Sequence, residues 1–223
     1  MLATEQGFPL YLAQERSRQG WELAVQGQIE EGISQIRQGL DACRAMGTEL
    51  WRPYFLALPA EAYGKVGQTE EGLSVLAEAL AAVNRSEERM YEAELWRLAG
   101  ELSLRMGERE TGRTGNAENE PEKRRAGETE KKQEQSPLPD SPIPRFPVSS
   151  PEEAFLKAIE IARKQQAKSL ELRAVMSLAR LWQQQGKKKE AHELLAEVYG
   201  WFTEGFDTKD LQEAKALLDE LSN

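Results

Sequence analysis

The chain has 223 residues, 39% of them apolar, which is enough for one large domain or two small ones. Its net charge of −9 argues against a general nucleic-acid binder, which needs a basic face. The single cysteine, Cys43, excludes a disulfide framework and a cysteine-rich metal site, and it fits a reducing cytoplasm. The N-terminus lacks the basic region of a signal peptide, and no apolar run approaches the roughly 18 to 20 residues that span a bilayer. We therefore expect a cytoplasmic protein with neither secretion nor a membrane contact.

A short segment occurs twice at a distance of 40 residues. It reads GQIEEG at 27–32 and GQTEEG at 67–72. A period of 20–50 residues indicates a stacked array of repeats. One more period leads from Gly67 to Gly107, which follows the amphipathic stretch YEAELWRLAGELSLRM. The next turn glycine, Gly186, lies one period plus 39 residues further on, which indicates an insertion.

Three further sets of residues keep the same register. Apolar residues occupy the middle of each second helix. Small residues follow three positions later in the first three repeats, with the larger Val198 in the fourth, and small residues precede each turn glycine by seven positions. These sets are Ile36, Leu76, Phe155 and Leu195; Gly39, Ala79, Ala158 and Val198; and Gly20, Ala60, Gly100 and Ala179.

Small residues at fixed positions allow helices to pack closely, so the pattern predicts an all-α fold. We expect a right-handed superhelical array of four antiparallel helix hairpins with a period of 40, followed by a ninth, capping helix. The hairpin turns are predicted at Gly27, Gly67 and Gly186, and in the insertion after Gly107.

The insertion, residues 108–150, has its own composition. It holds six of the ten prolines, nine acidic and eight basic residues, and one aromatic residue, Phe146. Such a segment cannot bury enough apolar surface to offset its chain entropy, so we expect it to be disordered and not to dock on the helices. Its deletion is therefore expected to leave the fold intact. An alternative role for PLPDSPIPRFP is that of a proline-rich ligand for another domain.

Ser150, Pro151 and Glu153 form a capping box, which predicts that helix resumes there. The expected organisation is therefore 1–107 (repeats 1 and 2 and the first helix of repeat 3), 108–150 (insertion) and 151–223 (the rest of repeat 3, repeat 4 and the cap).

Pro59 is expected to disturb the third helix. That helix can begin near Pro53, since proline is tolerated in a first turn. Pro59 removes one backbone hydrogen bond and crowds the preceding turn. The sequence therefore predicts either a bend at Pro59 or a helix that begins only near Leu58.

The repeat pattern resembles tetratricopeptide repeats (TPRs), with a small residue at the eighth position and a turn glycine near the fifteenth. Trp96, eleven residues before Gly107, lies where the TPR consensus has tryptophan. The period of 40 instead of 34 and the missing terminal proline are departures. The stretches AKSLELRAVMSLARLWQQQGK and YGWFTEGFDTKDLQEAKALLDEL also look like the C-terminal repeat region of large bacterial signalling ATPases that are fused to adenylate or guanylate cyclase domains.

The resemblance implies a concave groove lined by the first helix of each repeat. Transferred to this chain, the groove positions of the family are Trp21, Tyr54, Glu61, Lys65, Arg97, Glu101, Arg105, Arg173, Arg180 and Gln184. They imply a protein or peptide partner, which several arginines could bind through carboxylates or phosphate. The opposing interpretation is an ordinary charged helix surface.

No catalytic or cofactor-binding motif is present. The chain has no G-x-x-x-x-G-K-[ST] loop, so the ATPase and cyclase activities of those relatives are carried by no residue here. His192 is the only histidine, which favours a solvated helix face over a metal site, and Cys43 suits a core position. The sequence thus favours a non-enzymatic scaffold for protein–protein interaction or ligand sensing, without cofactor, metal or nucleic acid. The alternative is the regulatory segment of a signalling ATPase or cyclase that acts in cis or in trans.

Overall fold

The computed structural model describes residues 8–47, 52–117 and 146–222, and these ranges form nine α-helices without a strand. The helices are α1 (Pro9–Val25), α2 (Ile29–Ala45), α3 (Arg52–Val66), α4 (Thr69–Ser86), α5 (Glu92–Ala117), α6 (Pro151–Lys164), α7 (Lys168–Gln184), α8 (Lys188–Tyr199) and α9 (Lys209–Leu221). The predicted all-α array is confirmed: α1–α2, α3–α4, α5–α6 and α7–α8 are hairpins, and α9 packs on the last one.

The helices form two layers. The first helices α1, α3, α5 and α7, followed by α9, each contact the next helix of this series. Within the described ranges, the second helices α2, α4, α6 and α8 contact their hairpin partner and the first helix that follows, but not one another. The first helices therefore form the inner layer, and their exposed side chains share one face of the array.

The repeated GQ dipeptide closes the hairpin turns. Gly27 and Gly67 have φ of +94° and +74°, a left-handed conformation that favours glycine. The glutamine after each glycine donates its backbone N–H to a carbonyl five residues earlier, Gln28 to Leu23 (2.9 Å) and Gln68 to Tyr63 (3.0 Å). Such 6→1 bonds mark the Schellman motif that ends a helix. The turn at Gly186 is built in the same way, so three predicted turns are confirmed.

The small residues permit close helix contact. A Cβ atom on Gly20 would lie 2.5 Å from the carbonyl oxygen of Gly32, and one on Gly100 would lie 2.5 Å from Cε1 of Phe155. No side chain fits at such distances unless the helices separate. The predicted apolar positions fill the space beside these contacts, and all four are buried: Ile36, Leu76, Phe155 and Leu195.

Helix α5 does not end at Gly107 but continues to Ala117. The division of the chain at residues 107 and 150 stays a prediction. A Cβ on Gly107 would meet nothing within 4 Å, so this glycine lies where the helix has left the packed array. The first proline of the insertion comes only at Pro121, so no proline interrupts the helix before it. Residues 118–145, to which most of the disorder prediction applies, lie outside the described residues.

The expectation that nothing in the insertion docks on the helices is also wrong. Phe146 is only 5% exposed and packs edge-to-face on Trp96 of α5, with 4.9 Å between the ring centroids. Val148 joins the same cluster. A single buried aromatic ring can hold a short segment against the helices. The average composition of the insertion does not reveal the contribution of one such residue. The predicted restart of the helix is confirmed, since Oγ of Ser150 accepts the backbone N–H of Glu153 at 3.1 Å.

Pro59 lies inside a continuous helix. Because α3 begins at Arg52, the expected late start near Leu58 is wrong. Both Pro53 and Pro59 are fully buried, so packing stabilises the helix across the missing hydrogen bond. The bend at Pro59 stays a prediction.

A buried ion-pair network joins the third hairpin to the fourth. Glu94 of α5 is 5% exposed and accepts two hydrogen bonds from Arg97, at 2.9 and 2.7 Å. Its Oε1 also lies 2.8 Å from Nη2 of Arg173 on α7. Burial alone would raise the pKa of Glu94, but the hydrogen bonds and charges of the two arginines outweigh it and lower the pKa below 4.5. Glu94 is therefore ionised at neutral pH and holds two arginines in fixed positions.

Replacing Phe146 with alanine should lower the free energy of unfolding by about 3 kcal/mol, the usual loss when a buried phenylalanine leaves a cavity. Urea denaturation measures this change. Phe206, which is 47% exposed, provides the control, and F206A should cost less than about 1 kcal/mol.

Deletion of Arg109–Val148 should also be destabilising, because it removes Phe146. Replacing residues 118–144 with a Gly/Ser linker of equal length keeps Phe146 and should leave stability unchanged. Equal stability of F146A and the wild type would show that the Trp96 contact is incidental.

The variant E94Q should lose about 3 kcal/mol at pH 7, because it leaves a buried arginine without its carboxylate. Since the folded-state pKa is lowered, the contribution of Glu94 is complete above its ordinary value of 4.5 and is lost as pH falls through the lower folded value. The difference between wild type and E94Q should therefore narrow below about pH 4.5. Urea melts between pH 3 and pH 8 measure it, with the exposed residue Glu193 as control, E193Q. A difference that is independent of pH would contradict the ionised state of Glu94.

Candidate functional site

One groove lies on the inner layer, between α3, α5, α7 and the first turn of α9. Its volume is about 230 Å³, below the roughly 300 Å³ at which enclosed small-molecule pockets begin. Sixteen residues line it, ten of them charged. A groove of this size accommodates side chains of an extended ligand better than a whole cofactor.

The inner wall of the groove rests on the Glu94 network. Arg97 donates Nε and Nη2 to Glu94 and Nη1 to Glu101. All three nitrogens of its guanidinium therefore already bind carboxylates of the protein. Ser177 of α7 donates its hydroxyl to the same Glu101 oxygen at 2.9 Å. Burial would lower the pKa of Arg97, but the hydrogen bonds and charge of Glu94 raise it. These side chains are locked to one another and shape the wall.

On the α3 side of the groove, the charged side chains make fewer contacts with one another than those of the wall do. Glu61 accepts the indole N–H of Trp21 at 3.3 Å and lies 3.4 Å from Nζ of Lys65. Arg105 donates Nη1 to the carbonyl oxygen of Gly64 at 2.7 Å. That carbonyl carries no formal charge, so the bond orients Arg105 without neutralising it.

The open end of the groove is formed with α9. Arg180 of α7 donates to Oε2 of Glu213 at 3.2 Å, and Nζ of Lys209 lies 3.6 Å from its other oxygen. Asp210 lines the same end. The side chains of Arg180 and Glu213 are 46% and 41% exposed, so solvent and salt screen this pair.

The lining of the groove carries a more positive charge than the chain as a whole. Its lining carries six cationic and four anionic side chains, whereas the whole chain carries a net charge of −9. The cations are Lys65, Arg97, Arg105, Arg173, Arg180 and Lys209, and the anions are Glu61, Glu101, Asp210 and Glu213. Counting Glu94 behind the wall, which pairs with Arg97 and Arg173, gives six cations and five anions, a small positive excess that favours an anionic ligand.

Seven of the ten positions transferred from the family line this groove. Three do not: Trp21 touches only its edge through Glu61, Tyr54 packs on Tyr91 at 4.7 Å between ring centroids, and Gln184 lies at the end of α7. The binding role of the ten residues stays a prediction.

Sequence reasoning missed the residues from α9. Lys209, Asp210 and Glu213 lie outside the 40-residue register, so no repeat position corresponds to them. Their only signal is the i,i+4 spacing of Lys209 and Glu213 in the first turn of a capping helix. It also missed Glu94 and Ser177, which hold groove residues in place.

The described residues hold neither a metal-binding cluster nor a membrane-spanning helix. No group of three or more His, Cys, Asp or Glu side chains is arranged to hold a metal ion within 8–47, 52–117 and 146–222. None of the described helices is both long and apolar enough to cross a membrane. Cys43 is buried in α2, as expected.

Known proteins resemble this chain in fold only. No protein-family model and no curated protein matches the sequence. Among solved structures, a kinesin light chain-like protein from Podosopora anserina with nearly identical TPR-like repeats is 16% identical with a TM-score of 0.57, over 96% of this chain and 86% of that chain. A second structure, of a variant of that protein, is also 16% identical, with a TM-score of 0.55, over 96% of this chain and 94% of that chain. The chain therefore has the fold of a TPR-like helical-repeat array.

Proposed function

We propose that this protein is a non-enzymatic scaffold that binds a segment of a protein partner along the groove between α3, α5, α7 and α9. The observation that carries the proposal is the convergence of seven family-predicted positions in one cleft of the inner layer. TPR-like repeats generally mediate protein interactions, and stacked repeats present such a surface on the inner helices. The groove is too small for a drug-sized ligand but long enough to involve four helices.

A library of phage-displayed twelve-residue peptides tests the proposal. Selection on the immobilised full chain should enrich peptides that bind the wild type. The variant R105E should weaken their binding about tenfold, because it reverses a charge in the groove. Isothermal titration calorimetry with the selected peptides measures the change.

The matched control is R85E, which makes the same charge change on the outer helix α4, away from the groove. It should bind within about twofold of the wild type, and both variants should melt within a few degrees of it. Absence of any enriched peptide, or equal loss of binding in R85E and R105E, would contradict a groove-binding scaffold.

The second candidate is the regulatory segment of a signalling ATPase or nucleotide cyclase. One observation favours it: Phe8, the N-cap of α1, and Tyr11 and Leu12 in the first turn of α1 form an exposed apolar stripe on the first described helix. Repeat arrays normally end in a polar face, so this stripe suits a further unit stacked in cis or in trans.

Genome sequence tests the second candidate. An upstream reading frame that encodes a P-loop and cyclase motifs and ends in half a repeat would support it. An upstream gene of unrelated sequence with its own complete fold would contradict the arrangement in cis.

A further inference from the structure

Glu213 of α9 lies between two groove cations although it belongs to no repeat. It accepts a hydrogen bond from Arg180 at 3.2 Å through one oxygen, and Lys209 lies 3.6 Å from the other. It is thus a carboxylate that the protein itself supplies to the open end of the groove.

The carboxylates of the groove differ in how firmly they are held. Glu94, behind the wall, is buried and bound by Arg97 and Arg173, so its removal would leave the buried cation of Arg97 without its carboxylate. Glu213 is half exposed, and its contacts to Arg180 and Lys209 are screened by water and salt. An external carboxylate can therefore replace Glu213 at small cost, but it cannot replace Glu94.

A second groove cation, Arg105, is held in a different way. Arg105 is held by an uncharged carbonyl group at 2.7 Å, so its positive charge is available to an anion. Arg105 and Arg180 lie on neighbouring inner helices, α5 and α7. Two cations on adjacent helices suit a ligand with carboxylates at intervals along an extended chain.

We propose that the groove binds an extended segment rich in Asp and Glu, and that Glu213 occupies one carboxylate position of this ligand on Arg180 and Lys209 in the unbound protein. Glu213 thus sets the affinity of the groove by competing with the ligand. The inference rests on the proposed scaffold function and names the chemistry of its partner.

The probe is an acetylated, amidated ten-residue peptide that alternates glutamate with serine. It should bind the full chain in low salt, and binding should weaken as NaCl rises from about 50 to 300 mM. The analogue with glutamine in place of glutamate should bind at least about tenfold more weakly. Fluorescence anisotropy of labelled peptides measures both affinities.

The variant E213Q should bind the glutamate peptide about threefold more tightly, because the competing charge is gone. Its matched control is E160Q on the outer helix α6. Glu160 is also paired with two cations, Lys157 at 2.9 Å and Lys164 at 2.5 Å, but it lies outside the groove. E160Q removes the same charge from the protein, so it reports the effect of net charge alone and should change the affinity by less than about 1.5-fold.

A double-mutant cycle separates competition at Arg180 from a general effect on α9. R180Q should weaken binding about fivefold, and E213Q should have a smaller effect in the R180Q background than in the wild type, because only the competition at Lys209 remains. Equal effects of E213Q with and without Arg180 would overturn competition at this position. Thermal melts of all four proteins verify that α9 remains folded.

Other outcomes distinguish this inference from the scaffold function. If selected neutral or basic peptides bind in the groove and the glutamate peptide does not, the acidic-ligand inference fails while the scaffold function stands. If a phosphoserine peptide binds more than about tenfold tighter than the glutamate peptide, the carboxylate assignment is wrong. If no peptide binds and R105E changes nothing, both proposals fail.

Discussion

The whole architecture depends on how closely the two helices of each hairpin approach one another. At Gly20 and Gly100 the facing atoms occupy the space that a Cβ would need. Larger residues there would force the helices apart, and the apolar side chains beside them would lose their contacts. Because each hairpin meets only its neighbours, the same constraint recurs in each repeat, and small residues therefore recur at the period of 40 residues.

This recurrence explains what the sequence could predict. The position of Ile36 recurs in all four repeats, and the turn glycine Gly27 has equivalents at Gly67 and Gly186. Such recurring positions can be recognised from the sequence alone. The features that were missed occur once. Phe146 is a single ring in a polar segment, and its contact with Trp96 depends on how the chain returns to α5. Glu213 lies beyond the last repeat, and only the packing of α9 on α7 brings it to Arg180.

The groove combines two kinds of electrostatic contact. On the wall, burial makes the Glu94 network rigid, because an ion pair removed from water loses much when one partner leaves. At the open end, both Arg180 and Glu213 are nearly half exposed, so water and salt weaken their ion pair. A binding site gains from this division, since the fixed arginines preserve its shape while the exposed pair rearranges at low cost.

The two-layer arrangement also determines the mechanics of the molecule. The inner helices form an unbroken series of contacts, whereas neighbouring outer helices in the described ranges do not touch. Each second helix is instead joined to the first helix that follows it, so a load along the array passes from hairpin to hairpin through both layers. Bending the array therefore has to change these cross-layer contacts as well as the inner ones, and small rotations of all the hairpins share that change.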